Sequence, residues 1–449
     1  MKNLTATLVV CLSTFVGVTY SAWQDLTCPP GYIPQNGSAL CAGIAIDKYV
    51  WFLQNGLGLN DLFLCYDIAH NTWISSELIP FIPMGEGGAV AYVQMLTISP
   101  PNGWVFAFRG NNTQEFWVYG PGSNTWQRGP DVPEPVIDGG CLCYGGLQFI
   151  DGVDQHVLYA FTGQHDDNAG YWQGHFFRYT FPDPGVLKGP NPALLGEWRQ
   201  LAKILGKVST RHPALTWVPM DDPSGLYPMG VVVAMKNDLD HPPHGVIYHY
   251  YPDQDTWREI RYIPDPTNPQ EYARLDDGAC MTSHFRDRTM FLFGESYPRH
   301  YAFYDVATHS ITILASTPHE VTKGAAITAL HWEGEAYVEF GGGGLPYFSR
   351  WVPPPEEGEQ GTITNPSSQL KVAVYPSQVS HIFSVRCEAG PVRLSVMDVT
   401  GRRVCSSAKE CRGEMVDITW IHPTIANGVY FWSISTKSGG TNGKLVITK

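Results

Sequence analysis

The sequence predicts an all-β protein: a six-bladed β-propeller followed by a small β-sandwich. Three observations predict it. "HNTWISSELIP" (70–80) and "SNTWQRGPDVP" (123–133) both carry Thr-Trp after a polar pair, with Pro seven residues past the Trp. The composition of 46 Gly, 35 Pro and 13% aromatic residues against 16% charged is what many short strands and turns produce. After Trp351 the apolar alternation stops in a Pro-, Gly-, Glu- and Ser-rich stretch and then resumes in a different pattern.

The chain of 449 residues opens with Lys2, an apolar stretch from Leu4 to Val18 and small residues at Ser21 and Ala22. That order predicts a secretory signal peptide over 1–21, too short and wrongly flanked for a membrane span. No later segment is long and apolar enough to cross a bilayer as a helix. The net charge of −13, without a Lys/Arg run, excludes a nucleic-acid partner, which needs a basic surface to displace counterions. Removing Cys11 with the signal leaves an odd cysteine number on an oxidising route. Cys28–Cys41 and Cys405–Cys411 are the expected disulfides; Cys65, Cys141, Cys143 and Cys280 sit in apolar runs and read as buried packing residues.

The Trp motif returns as "QDTWREIRYIP", ending at Pro264, as the weaker "LGEWRQL" around Trp198, and as "THSITILASTP", where Ile311 takes the Trp position. A second marker runs in phase. Apolar strands open after a small-residue step at Gly37, Gly87, Gly139, His212, Asp277 and Lys323, which makes six starts. Between the markers lie two further strand-like runs, such as "WVFAFRG" and "FWVYG", so each unit holds four strands, a to d, in a meander. The period is roughly fifty residues. These features resemble kelch repeats, which build propeller blades, over residues 22–352. The double glycine typical of the second kelch strand is complete only at Gly341–Gly344.

The sixth unit has strands a, b and c but no Trp strand, whereas the segment after the signal, "SAWQDLTCPP", looks like a strand d without its unit. An open sheet edge invites association, and one chain end completing the other's blade removes it. Trp23 is therefore expected in the last blade. A large aromatic at the start of strand d fills the space between twisted sheets, which assigns Trp73, Trp126, Trp198 and Trp257 to packing.

A linker is expected over 353–370 and a β-sandwich over 371–449. The matching residues are "VYPSQV" (Val374–Val379), "VMDVTGRRV" (Val396–Val404), "NGVYFWSI" (Asn427–Ile434) and the terminal "GKLVITK". Their order and spacing resemble the C-terminal sorting domain of type IX secretion in Bacteroidetes-like bacteria. The resemblance implies handling by the type IX machinery, and a secreted or outer-surface location in a Gram-negative-type cell.

No Gly-x-Ser-x-Gly elbow, His-Glu-x-x-His, phosphate loop or paired CxxC site occurs in the sequence. No catalytic residue and no cofactor is assigned. Two b–c loops, "TGQHDDNAGYWQGH" and "KNDLDHPPHG", carry His165, Asp166, Asp167, Asp238, Asp240, His241 and His244. His165, Asp166, Asp240, His241 and His244 form the candidate metal set, since imidazole with carboxylate suits zinc or another transition metal. A solvated polar loop is the competing reading. The turns from strand d into the next strand a emerge on the same face and carry Glu86, Asp138, Arg211, His212, Arg274, Asp276, Asp277 and Lys323. With Trp172, Tyr171 and Tyr272, these charges of both signs suit a sugar or polar peptide over the channel mouth. The expected ligand set is Asp138, Arg211, His212, Arg274, Asp276, Asp277, Trp172 and Lys323.

The expected function is a secreted or surface-displayed binding protein for a glycan or protein. Two alternatives stand beside it: a carbohydrate-active enzyme of the sialic acid mutarotase kind, which shares the kelch architecture, and a structural adhesion component. Copper-radical oxidases share it too, but their Tyr–Cys crosslink, second Tyr and two His ligands find no place in register here.

Overall fold

The structure is a computed structural model. It describes residues 22–30, 38–42, 49–55, 62–75, 84–94, 103–121, 123–166, 172–182, 196–204, 214–220, 229–238, 244–284, 288–314, 316–330, 335–341 and 347–352, and then 371–376, 380–386, 390–398, 403–411, 415–421, 428–436 and 439–447. Among the described residues there is no helix.

Strand β1 is Ala22–Asp25. The first sheet is β2 (Ala39–Ala42), β3 (Tyr49–Gln54), β4 (Leu62–Asp67) and β5 (Thr72–Ser75). The second is β6 (Ala89–Gln94), β7 (Gly103–Phe108), β8 (Phe116–Gly120) and β9 (Thr125–Arg128). The third is β10 (Gly140–Ile150), β11 (Val153–Asp166), β12 (Trp172–Pro182) and β13 (Glu197–Gln200). The fourth is β14 (Ala214–Met220), β15 (Met229–Asp238), β16 (His244–Tyr251) and β17 (Thr256–Tyr262). The fifth is β18 (Cys280–His284), β19 (Arg288–Leu292), β20 (Tyr301–Asp305) and β21 (Ile311–Leu314). The last contains β22 (Ala326–Leu330), β23 (Glu335–Glu339) and β24 (Phe348–Val352), with β1 as its outer strand.

Each of these six described sheets has four antiparallel strands. The first strands β2, β6, β10, β14, β18 and β22 neighbour one another in turn, and β22 neighbours β2. The sheets therefore close into a propeller-like ring, with the first strands lining its axis.

The repeated tripeptide explains how each sheet is tied to the next. Asn71, Asn124, Asp255 and His309, two residues before the Trp position, have φ of 50°, 51°, 46° and 57°. Short polar side chains tolerate this left-handed conformation because they bond locally. Here they bond across the hairpin: Tyr66, Tyr119 and Tyr250 donate their hydroxyls to Asn71, Asn124 and Asp255 at 2.8, 2.6 and 2.8 Å. Tyr304 and His309 Nδ1 meet at 3.0 Å in the fifth sheet. Those tyrosines lie opposite Trp73, Trp126, Trp257 and Ile311 in the register.

The indoles then reach the preceding sheet. Trp198 Nε1 donates to Pro130 O at 3.1 Å and Trp257 Nε1 to Ala202 O at 3.0 Å. Each acceptor lies four residues beyond the preceding sheet's own Trp, Trp126 and Trp198 respectively. Trp73 Nε1 donates to Thr27 O at 2.8 Å, and Thr27 lies four residues beyond Trp23. The segment 22–27 thus obeys the rule of an ordinary fourth strand.

Direct pairing agrees. Strand β1 pairs with β24, with Trp23 opposite Trp351, and Leu26 N donates to Phe348 O at 2.9 Å. Trp23 lies edge-on to Tyr301 and Phe340, with ring centres 5.4 and 5.7 Å away. Asp25 Oδ1 accepts from Ser349 Oγ at 2.7 Å and lies 2.8 Å from His319 Nε2.

Asp25, Asp67, Asp265 and Asp305 share one electrostatic pattern. Burial pushes each carboxyl up, but hydrogen bonds outweigh it, from Ser349 and His319 at Asp25 and from Thr267 and Tyr297 at Asp265. All four are held below the ordinary value of 3.8. A depressed folded pKa stabilises the fold above the unfolded pKa, and that stability is lost as pH falls through the folded pKa. The urea midpoint of the chain is expected to be level above about pH 5 and to fall below about pH 4. Equilibrium urea unfolding across pH checks this, and Ser349→Ala should shrink the acid-labile part.

The C-terminal segment forms a sheet of β25 (Lys371–Pro376), β26 (Ser380–Arg386) and β29 (Met415–Ile421). A second sheet has β28 (Arg403–Cys411), β27 (Gly390–Asp398), β30 (Gly428–Thr436) and β31 (Gly439–Ile447) in that order. Phe383, Ile418 and Trp420 of one sheet share a core with Leu394, Val396 and Ile434 of the other, which makes a sandwich.

Neither expected disulfide forms. Cys405 and Cys411 lie in the single strand β28. Six residues of extended chain separate them by roughly 20 Å, far beyond the ~4.4–6.8 Å between Cα atoms that a disulfide spans. Cys28 is exposed, Cys41 is buried, and both are free thiols.

Candidate functional site

Four connections into a first strand have one geometry. Gly88 N donates to Gly85 O, Gly140 N to Ile137 O, Ala279 N to Asp276 O and Ala325 N to Thr322 O, at 2.9, 3.0, 2.9 and 3.0 Å. The third residues, Gly87, Gly139, Gly278 and Gly324, have φ of 83°, 84°, 84° and 87°. These are type II β-turns, which need glycine at that position. The small-residue step of the sequence is this turn.

The turns are wedged together. A Cβ on Gly87 would sit 2.0 Å from Ile137 O of the next turn, and one on Gly278 would sit 2.3 Å from Thr322 O. Each turn is also held by its own sheet: Gly85 N donates to Arg109 O and Thr322 N to Phe340 O, at 3.2 and 2.9 Å. The result is a rigid crown around a cavity of about 150 Å³, lined by residues such as Ser38, Gly87, Asp138, Cys141, Cys280 and Gly324.

The second position of each turn carries the crown's side chains: Glu86, Asp138, Asp277 and Lys323. Lys323 Nζ lies 4.0 Å from Glu86 Oε1. They come from the last and second sheets, so the pair passes over the first. Both side chains are open to solvent, at 43% and 58% exposure, whereas Asp277 is buried. Asp276 accepts from Ser296 Oγ at 2.9 Å and from Asp277 N at 3.0 Å. Lys323 N donates to Glu295 Oε1 at 3.0 Å.

Beside the crown the segment 272–275 alternates, with Tyr272 and Arg274 exposed and Ala273 and Leu275 buried. The ring of Tyr272 lies 5.1 Å from that of Tyr262 and 5.2 Å from His244. His244, expected as a metal ligand, is thus packed against two tyrosines.

The sequence expectations divide accordingly. Asp138, Asp277 and Lys323 occupy equivalent crown positions, with Asp276 and Arg274 next to them. Arg211, His212, Asp240 and His241 lie outside the described residues. His165, Asp166 and Trp172 were expected in a loop, and the structure corrects this: β11 and β12 continue as a hairpin, with His165 opposite Gln173 and Asp166 opposite Trp172. The strands resume pairing after a bulge at Thr162 and Gly163, where Gly163 takes φ 88°. Among the described residues no group of three His, Cys, Asp or Glu side chains is arranged to hold a metal.

Sequence reasoning missed His175, beside that bulge, and its partner Glu134, whose Oε2 contacts His175 Nδ1. A signal existed. Glu134, Asp265 and His319 each follow the Trp position by eight residues. Each touches the next sheet: Glu134 at His175, Asp265 at Tyr297 and His319 at Tyr347.

No curated relative matches the chain. Among solved structures, a fungal alcohol oxidase of the AA5 family in complex with copper is similar at 10% identity over 95% of this chain and 100% of that one, with a TM-score of 0.43. The Aleuria aurantia lectin in complex with Fucalpha1-6GlcNAc is similar at 11% identity over 73% of this chain and 95% of that one, with a TM-score of 0.44. The WD40 domain of SCAP from fission yeast is similar at 8% identity over 95% and 90%, with a TM-score of 0.30. The ring of sheets, rather than these distant likenesses, carries the architecture. Residues 373–448 match the family of secretion system C-terminal sorting domains, and this tail marks the chain for secretion or cell-surface display through a type IX system.

Proposed function

We propose that the chain is a kelch-like surface or secreted binding protein whose ligand, a glycan or a protein, sits on the crown at the channel mouth. A signal peptide over 1–21 and a linker over 353–370 belong to the same reading. The observation that supports it most is the crown itself. Rigid turns hold charged side chains of both signs over a cavity, with an exposed Tyr272 and Arg274 alongside. Pre-set geometry of this kind lowers the ordering cost of binding.

Glycan and peptide arrays probed with the secreted chain test the proposal. Retention without product is expected, and Lys323→Ala with Arg274→Ala should weaken it by about tenfold or more. Arrays that retain nothing, or retention unchanged by both substitutions, would contradict it. Turnover of a sialoside or other sugar lost in Arg274→Ala would instead favour the enzyme alternative.

A further inference from the structure

We infer that the crown also takes a compact zwitterion, a free α-amino acid, held with its carboxylate on Lys323 and its ammonium on Glu86. This rests on the crown being the binding site. The geometry points to it in three ways.

Lys323 and Glu86 stand 4.0 Å apart from two different sheets, so the mouth carries opposite charges side by side. The carboxylate and ammonium of an α-amino acid are separated by one carbon, which matches such a pair; the termini of a dipeptide are too far apart. Each protein charge then exchanges one partner for another of the same sign, and the site is electrically balanced both empty and filled.

The exchange costs little. An ion pair between exposed side chains contributes about 0–1 kcal/mol, so parting Lys323 from Glu86 is cheap. Glu295, which accepts from Lys323 N at 3.0 Å, holds the lysine backbone in place while its side chain turns.

The cavity starts at the residues that follow the pair in the chain, Gly87 and Gly324, and mixed small and larger apolar side chains line it, among them Ala89, Ala325, Leu40 and Met281. A cavity of about 150 Å³ with such walls admits a small or medium aliphatic side chain. The charged end stays at the mouth and the side chain enters the channel.

Calorimetric titration of the full chain with L-alanine, L-valine and L-leucine, each beside its N-acetyl and carboxamide derivative, tests this. Binding of at least one free amino acid is expected, weakened by about tenfold or more when either end is blocked. Lys323→Gln should weaken the free amino acid and leave the blocked carboxamide unchanged, with the thermal midpoint of unfolding reporting that the fold is intact. Glu86→Gln should do the converse for the N-acetyl form. Equal binding of free and blocked forms overturns the inference, as does no heat from any free amino acid. If glycan or peptide array retention survives that failure and still depends on Lys323, the crown remains the binding site and only the amino acid is struck from its ligands.

Discussion

Deleting residues 22–27 is expected to open the ring and abolish cooperative unfolding of the 22–352 region. Strand β1 supplies the outer strand of the last sheet, Trp23 wedges against Tyr301 and Phe340, and Thr27 is grasped by the first sheet. Three bonds make that grasp: Trp73 Nε1 to Thr27 O, Thr27 N to Asn71 Oδ1 and Thr27 Oγ1 to Asn71 O, at 2.8, 3.0 and 2.8 Å. The segment therefore joins the last sheet to the first at the seam where the ring closes. Trp23→Ala alone should cost about 3 kcal/mol, the usual loss for removing a packed indole, read as a lower urea midpoint. A synthetic peptide of residues 22–28 added to the deleted chain should restore part of the loss. If the deletion leaves the midpoint unchanged, the strand does not close the ring.

Asn71→Ala is expected to be the most damaging change at a surface turn. Asn71 Oδ1 takes both the Tyr66 hydroxyl and Thr27 N, and its backbone sits at φ 50°. Alanine loses both hydrogen bonds and lacks the polar side chain that lets asparagine tolerate the left-handed region, at about 1 kcal/mol for each bond and about 1–2 kcal/mol for the conformation. A total near 3–4 kcal/mol follows. Asn71→Gly loses the bonds but relieves the backbone, so it should be milder by the conformational share. Asn71→Asp keeps the acceptor and a residue type that tolerates this backbone, so it should cost least. Urea titration of the three variants checks the order, and equal losses for alanine and glycine would show that the backbone carries no strain.

The architecture was legible because its rule repeats. Trp73, Trp126, Trp198 and Trp257 announce the fourth strands, and the glycine steps announce the first. Trp23 was legible as an orphan of the same pattern. The bonds behind the pattern were not legible, because they cross between strands and sheets. Nothing in "HNTW" says that Asn71 meets Tyr66 of the neighbouring strand, or that Trp73 reaches Thr27. Glu86 and Lys323 were visible as charged turn residues, but their meeting over the first sheet depends on the ring's curvature. Two expectations failed for a shared reason, which is reading spacing without direction. Cys405 and Cys411 look like the ends of a short loop, yet they share one extended strand. His165, Asp166 and Trp172 have turn-like neighbours, yet the bulge at Gly163 lets pairing continue through them. Glu134 and His175 were missed because the eight-residue offset that unites Glu134, Asp265 and His319 joins different chemistries: a carboxylate on imidazole, a carboxylate on phenol, and a ring stacked on a ring.

The most direct measurement is amide hydrogen exchange of residues 22–26. Residues 22–26 should exchange as slowly as 348–352, and both should lose protection together as urea is raised, because the pairing from Ala22–Val352 to Asp25–Ser349 and the Leu26–Phe348 bond break only when the ring opens. Fast exchange at 22–26, with 348–352 still protected, would mean that the ring closes without this strand.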